Sequence, residues 1–216
     1  MSAAKLLVFT MVCFSVCAHA QTQTLAVYSR KPPALDSLTQ HSLNDELTRL
    51  LSPADIQVVW RIQNREQREE TGRLVVGSFD GDCSVENLPT YTSPLAKTAT
   101  LAESSMSEGR VIPYFTVDCA RVIRTLSPTL EHLSVPFRSA VLGRALARVI
   151  AHEIYHIVAD TIDHEESGLG KAQLSLEDLI ATKFSLSPGS LRRIRASIQS
   201  LPPIPMAAVL APGSMH

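Results

Sequence analysis

One run constrains the fold of this chain more than any other. From Pro136 onward, Val141, Leu142, Leu146, Val149, Ile150, Ile154 and Ile157 recur at helical spacing, with Arg138, Arg144 and Arg148 largely off the stripe. A stripe this broad has to be buried, so the run predicts a long helix laid against a core. Asp160, Thr161 and Asp163 are weak helix formers, and Gly168 and Gly170 follow them. The helix is therefore expected to break around 160–162.

The other segments supply what that helix can pack on. Thr24 to Ser29 alternates as a strand does, and Leu38, Leu43, Leu47, Leu50 and Leu51 repeat at helical spacing until Ser52-Pro53. Ile56 to Ile62 and Arg73 to Phe79 are β-rich and read as neighbouring strands joined by the polar residues 64–72. Residues 80–97 read as a surface loop, after which 98–103 and 110–117 look like hairpin arms around 104–109. Cys119 opens a short helical stretch that Ser127-Pro128 interrupts. Ser175 and Asp178 form a capping-box pattern for a helix over 176–184, and Ser187-Pro188 starts another over 188–200. The order predicts an α+β fold with a helical C-terminal part.

Lys5, the apolar stretch from Leu6 to Val16, and Ala18-His19-Ala20 before Gln21 have the form of a secretory signal peptide over 1–20. The expectation is a secreted or periplasmic domain over 21–205, with 206–216 as a flexible tail. A lipid anchor at Cys17 is the competing reading, although Val16 stands where a small residue is expected. No later segment reaches about twenty uninterrupted apolar residues, so stable membrane insertion is not expected. Without Lys5 the balance is 19 basic against 21 acidic residues, which gives no footprint for nucleic acid or an anionic membrane. Cys83 and Cys119 remain as an even pair in an exported chain and are predicted to form a disulfide. The alternative, metal ligation, lacks a Cys-x-x-Cys pair.

Near its C-terminal end the long helix carries His152-Glu153-Ile154-Tyr155-His156. Histidines four apart lie only about 40° apart on a helix surface, so both imidazoles can reach one metal ion. Glu153, one step round, can approach a water without ligating the ion. Zinc would lower the pKa of that water toward about 7, with Glu153 as general base in the hydrolysis of an amide. The ordinary alternative is the solvated face of a structural helix.

The element order and HEIYH together resemble the zincin superfamily of metallopeptidases. The resemblance implies a twisted mixed sheet backed by the active-site helix, a Zn2+ cofactor, and a peptide or protein substrate lying extended along an edge strand near 98–103. It also implies a third protein ligand. In the metzincin branch that ligand is a histidine six residues after the second, following a glycine; here Ala159 and Ile162 occupy those positions, and the strict pattern fails. His164 is the nearest remaining histidine. In a continuous helix it would lie about 12 Å further along the axis than His156, so it ligates only if the helix breaks first. The gluzincin branch takes a glutamate from a following helix, a position that Glu177 fits, though a carboxylate in a first turn is favoured by the helix dipole regardless. His164 is the leading candidate and Glu177 the alternative, with Asp160, Asp163, Glu165 and Glu166 also open. Met206 is a candidate for a methionine turn, and Tyr91, Tyr114 or Tyr155 for an oxyanion partner, Tyr155 being angled toward the core. The leading expectation is a secreted zinc metallopeptidase. Its alternative is a zincin-like domain that binds zinc or a protein partner without turnover.

Overall fold

A computed structural model describes residues 22–29, 33–62, 73–89, 91 and 100–199. The signal peptide, the tail, the connection over 64–72 and Met206 lie outside the described residues. The fold is α+β: strands β1 (Gln23–Ser29), β2 (Ile56–Ile62), β3 (Arg73–Asp80), β4 (Ala102–Ser107) and β5 (Arg110–Asp118), and helices α1 (Ser37–Leu51), α2 (Cys119–Leu130), α3 (Val135–Ala159), α4 (Leu176–Ile180) and α5 (Pro188–Gln199). The sheet order is β2-β1-β3-β5-β4. Every pairing is parallel except β4 with β5.

Ile56–Ile62 and Arg73–Asp80 are therefore not neighbours, because β1 lies between them. The physical reason is the burial of β1. Leu25, Ala26 and Val27 are all buried, the continuous apolar run of a strand covered on both faces rather than the alternation of a half-exposed one. β4 also differs from expectation, since it runs through Ser107 and the turn is only Glu108-Gly109. Both turn residues have positive φ, +50° and +78°, as tight two-residue hairpins require. Ser104, Ser105 and Ser107 carry neither the branching nor the apolarity that marks a strand, which suits an edge and hides it in the sequence. The pairing shifts register between Ser104 and Met106, opposite the β5 segment containing Pro113, a residue that cannot donate to a ladder.

α2 continues through Pro128 rather than stopping before it. Pro128 leaves the carbonyl of Arg124 without its helical donor, and the Ser127 hydroxyl donates to that oxygen instead at 2.9 Å. α4 is shorter than expected, ending at Ile180 although its Ser175–Asp178 capping box forms. The Arg148 guanidinium donates to the carbonyls of Asp178 at 2.5 Å and Ala181 at 2.7 Å, drawing the chain out of the helix. Arg148 is thus not on a solvated face. It is 1% exposed and paired with Glu46 of α1 at 2.7 Å.

The core joins Leu43, Leu47 and Leu50 of α1 to Leu142, Leu146, Ile150 and Ile154 of α3 and to Val27, Val75, Phe115 and Val117 of the sheet. Each such side chain contributes roughly 1.5–3 kcal/mol when removed from water. Leu38 stands outside this core and is exposed. α1 and α3 cross closely at Gly143, where a Cβ would collide with the backbone oxygen of Thr39. Cys83 and Cys119 form a buried disulfide, Cα to Cα 5.0 Å, tying the segment after β3 to the start of α2. Among the described residues no helix is long and apolar enough to cross a membrane.

Candidate metal centre

α3 ends at Ala159 because Asp160 turns left-handed, φ 47°, and the amides of Asp160 and Thr161 both donate to the carbonyl of His156. The carbonyl of Val158 is taken by Arg73 at 2.9 Å and by the Ser197 hydroxyl at 2.6 Å. Asp160 then ties this end to β5 by accepting from the amide of Val111 at 3.1 Å and from Arg110. The chain folds back under the helix. Glu165 pairs with Lys171 in an isolated bridge and its amide donates to Gly170 at 2.7 Å.

That return brings His164 to the helical pair. Its ring centroid lies 4.8 Å from that of His156 and 5.7 Å from that of His152. One nitrogen from each of the three imidazoles falls within 4.8 Å of the others, a grouping able to hold a metal ion. His156 is buried, His152 half-buried and His164 exposed.

The same loop fixes the tautomers. His152 Nδ1 lies 2.7 Å from the carbonyl of Leu169, and His156 Nδ1 lies 2.7 Å from the carbonyl of Thr161. A carbonyl only accepts, so each Nδ1 carries the hydrogen and each Nε2 is left with a bare lone pair. Those two Nε2 atoms stand 3.0 Å apart. Protonation does not relieve the contact readily. Burial pushes His152 down to about 4, outweighing the Leu169 carbonyl that favours the cation. Burial also lowers His156, against the pull of the Thr161 carbonyl.

Glu153 is 4% exposed, and its Oε2 accepts from the Ser104 hydroxyl on β4 at 2.5 Å. Burial pushes its carboxyl up to about 7, with Ser104 opposing and the charge of Glu103 assisting. The histidines and Glu153 open into a cleft of about 280 Å³, whose other walls include Glu103, Ser104, Met106, Val111 and Ile162.

Of the alternative ligands, none joins the cluster. Glu177 is exposed in the first turn of α4; its own backbone amide and the Ser175 hydroxyl hold its carboxyl below the usual range, the behaviour of a helix-start carboxylate. Asp163 pairs with Arg193 at 3.0 Å, Glu165 accepts from the Ser187 hydroxyl, and Glu166 is exposed. Tyr155 is fully buried, Tyr91 sits beneath Arg124, and Tyr114 does not line the cleft. Ser104 was not readable as a site residue, because it falls in the stretch 104–109 that reads as a turn, whereas Glu103 falls at the end of the predicted edge strand 98–103. No protein-family model matches the chain, and no curated protein matches it either.

Proposed function

We propose that this chain is an exported, zincin-like zinc metallopeptidase, with His152, His156 and His164 as ligands and Glu153 as general base. The observation that carries the reading is the approach of two unprotonated Nε2 atoms to 3.0 Å beside a third imidazole. Bare lone pairs repel at that distance, and a shared cation turns the contact into an attraction. An all-imidazole donor set suits zinc, copper, iron and nickel. Three protein ligands with a buried carboxylate next to them match a hydrolytic zinc site best among these. Zinc bound there supplies a position for water, a lower pKa for that water and polarisation of a carbonyl.

The chain's own groups do the rest. Glu153, buried beside the histidines and held by the Ser104 hydroxyl, accepts a proton from the attacking water and passes it to the leaving amine. Ser104 holds the Glu153 carboxylate toward the cleft side of β4. The Thr161 and Leu169 carbonyls fix the orientation of two imidazoles, the support that metal-binding histidines need. Among the described residues β4 is the last strand of the sheet on this side, so its outer edge offers backbone groups to an extended peptide. That antiparallel edge strand beside the histidine-bearing helix also supports the zincin-like reading. The buried disulfide supports an oxidising compartment. The second reading, metal or partner binding without turnover, gives the buried carboxylate of Glu153 beside the histidines no part to play.

Elemental analysis of the purified chain tests this directly. One zinc per chain is expected in the wild type and in Glu153→Ala, with loss in His156→Ala and His164→Ala, retention in Glu177→Ala, and peptide cleavage by the wild type but not Glu153→Ala. A folded wild type that takes up no zinc when supplied with it would sink the proposal.

A further inference from the structure

The proposed peptidase leaves open which peptides it accepts, and one residue of the cleft speaks to that. Glu103 on β4 lines the cleft beside the base, yet it has no ion-pair or hydrogen-bond partner among the described residues. Among the described residues no lysine or arginine lines the cleft either, while Ala102, Met106, Val111 and Ile162 present apolar atoms. Among the described residues, Arg110 holds Asp160 and Lys171 holds Asp178. Glu103 is close enough for its charge to be felt at Glu153. Met106 and Ile162 are unusually exposed for their size, 46% and 61%, so apolar contact surface is open on the same cleft.

Resting on the peptidase reading, we propose that Glu103 selects substrates carrying a lysine or arginine at the residue that lies against it on the β4 edge. A basic side chain lays its methylene stem on the apolar lining and brings its charged head to an unpaired carboxylate. An acidic side chain there meets the Glu103 carboxylate, with no lysine or arginine among the described lining residues to offset it. Because Glu103 is exposed, the discrimination is moderate and weakens as salt is added.

Two arms test this, both on the full chain. The zinc-loaded protein is given a mixed-sequence peptide library and cleavage sites are read by mass spectrometry. Separately, the Glu153→Ala variant is titrated with fluorescent peptides that differ only by arginine, alanine or glutamate at the selected position. Lysine and arginine are expected to be enriched at one position relative to the cut, by about five- to tenfold over alanine. Glu103→Gln flattens that preference and Glu103→Arg turns it toward acidic residues, while an unrelated position keeps its profile. Arginine peptides bind Glu153→Ala more tightly than glutamate peptides, and Glu103→Gln removes the difference. Cleavage without a basic preference, or a preference indifferent to Glu103→Gln, overturns the assignment and leaves the peptidase reading standing. If nothing is cleaved the peptidase reading falls, and the binding arm alone then decides on Glu103: equal affinities overturn it. Glu103 is a surface residue, so unchanged thermal unfolding of the variants keeps a folding defect from passing as either result.

Discussion

Leu169 reaches His152 through its backbone carbonyl, so the residue that governs this support is the one that sets the backbone, Gly168. Its φ is +70°, and a Cβ there would stand 2.7 Å from the carbonyl oxygen of Ser185, the same oxygen that accepts the amide of Leu169. Gly168→Ala is expected to lower zinc affinity by about 10- to 100-fold, the usual cost of disturbing a ligand's supporting hydrogen bond, and stability by roughly 1–3 kcal/mol. Gly109→Ala is the control, since its φ is also positive, +78°, but nothing lies within 4 Å of the new Cβ. It should lose some stability and no zinc affinity. Competition with a chromogenic chelator, alongside urea unfolding, separates the two, and equal affinities would remove the Leu169 carbonyl from the design of the site. The contrast also explains what was legible. The approach of His152 to His156 could be read because helical spacing converts sequence into a shared face, with Glu153 one step round from it. His164 could be read only through the weak helix formers before it. The carbonyls of Thr161 and Leu169 could not, because every residue has one.

Between elements, the same limit applies to Arg148, which periodicity assigns to a solvated face and which instead joins three helices from the inside. The clue lies on the partner helix, where Glu46 interrupts the stripe of Leu43, Leu47 and Leu50 and is 8% exposed. A carboxylate there needs a buried cation, but one sequence does not say which helix provides it. Burial works against the Glu46 carboxylate, yet hydrogen bonds from Arg49 and Arg148 outweigh it and hold its pKa below the ordinary 4.5. The sign of the pH dependence follows: a depressed carboxyl stabilises the fold fully above 4.5, and that stabilisation is lost as pH falls through the lower folded value. Glu46→Gln should therefore cost about 3 kcal/mol at neutral pH, chiefly by leaving Arg148 buried without its counter-charge. The difference from wild type should narrow in acid, below 4.5. Denaturant midpoints across pH on the metal-free chain measure it, and a constant gap would mean that shape rather than charge is lost. Strand order was illegible for a related reason. The burial of β1 on both faces is a property of what surrounds it, while its own six or seven residues read equally well as half-exposed.

Across the whole molecule, two ties border β5, the disulfide and the proposed metal centre. The disulfide holds Cys119, directly after the strand's last residue, whereas Val111 at its start lines the cleft of the three histidines. Val111 lies seven residue steps from Asp118, roughly 23 Å of strand, although Ala102, paired with Val117 near the disulfide end, lines the cleft as well. The disulfide and the three histidines belong to different side-chain groupings, and two stabilising effects with no shared partner add to within about 0.5 kcal/mol. The chain-entropy model gives the disulfide, with a sequence separation of 36, about 4 kcal/mol. Zinc at about a thousand times its dissociation constant contributes a similar increment by mass action. The double variant Cys83→Ala with Cys119→Ala should thus lower the stability of zinc-loaded and zinc-free protein equally. Its zinc affinity should match that of wild type. A four-way comparison of urea midpoints with an unchanged m-value checks this. If the zinc increment disappears without the disulfide, the loop that Cys83 and Cys119 close reaches the metal centre through β4, whose Ser104 holds Glu153, and the edge strand would then be the coupling element rather than a passive wall of the cleft.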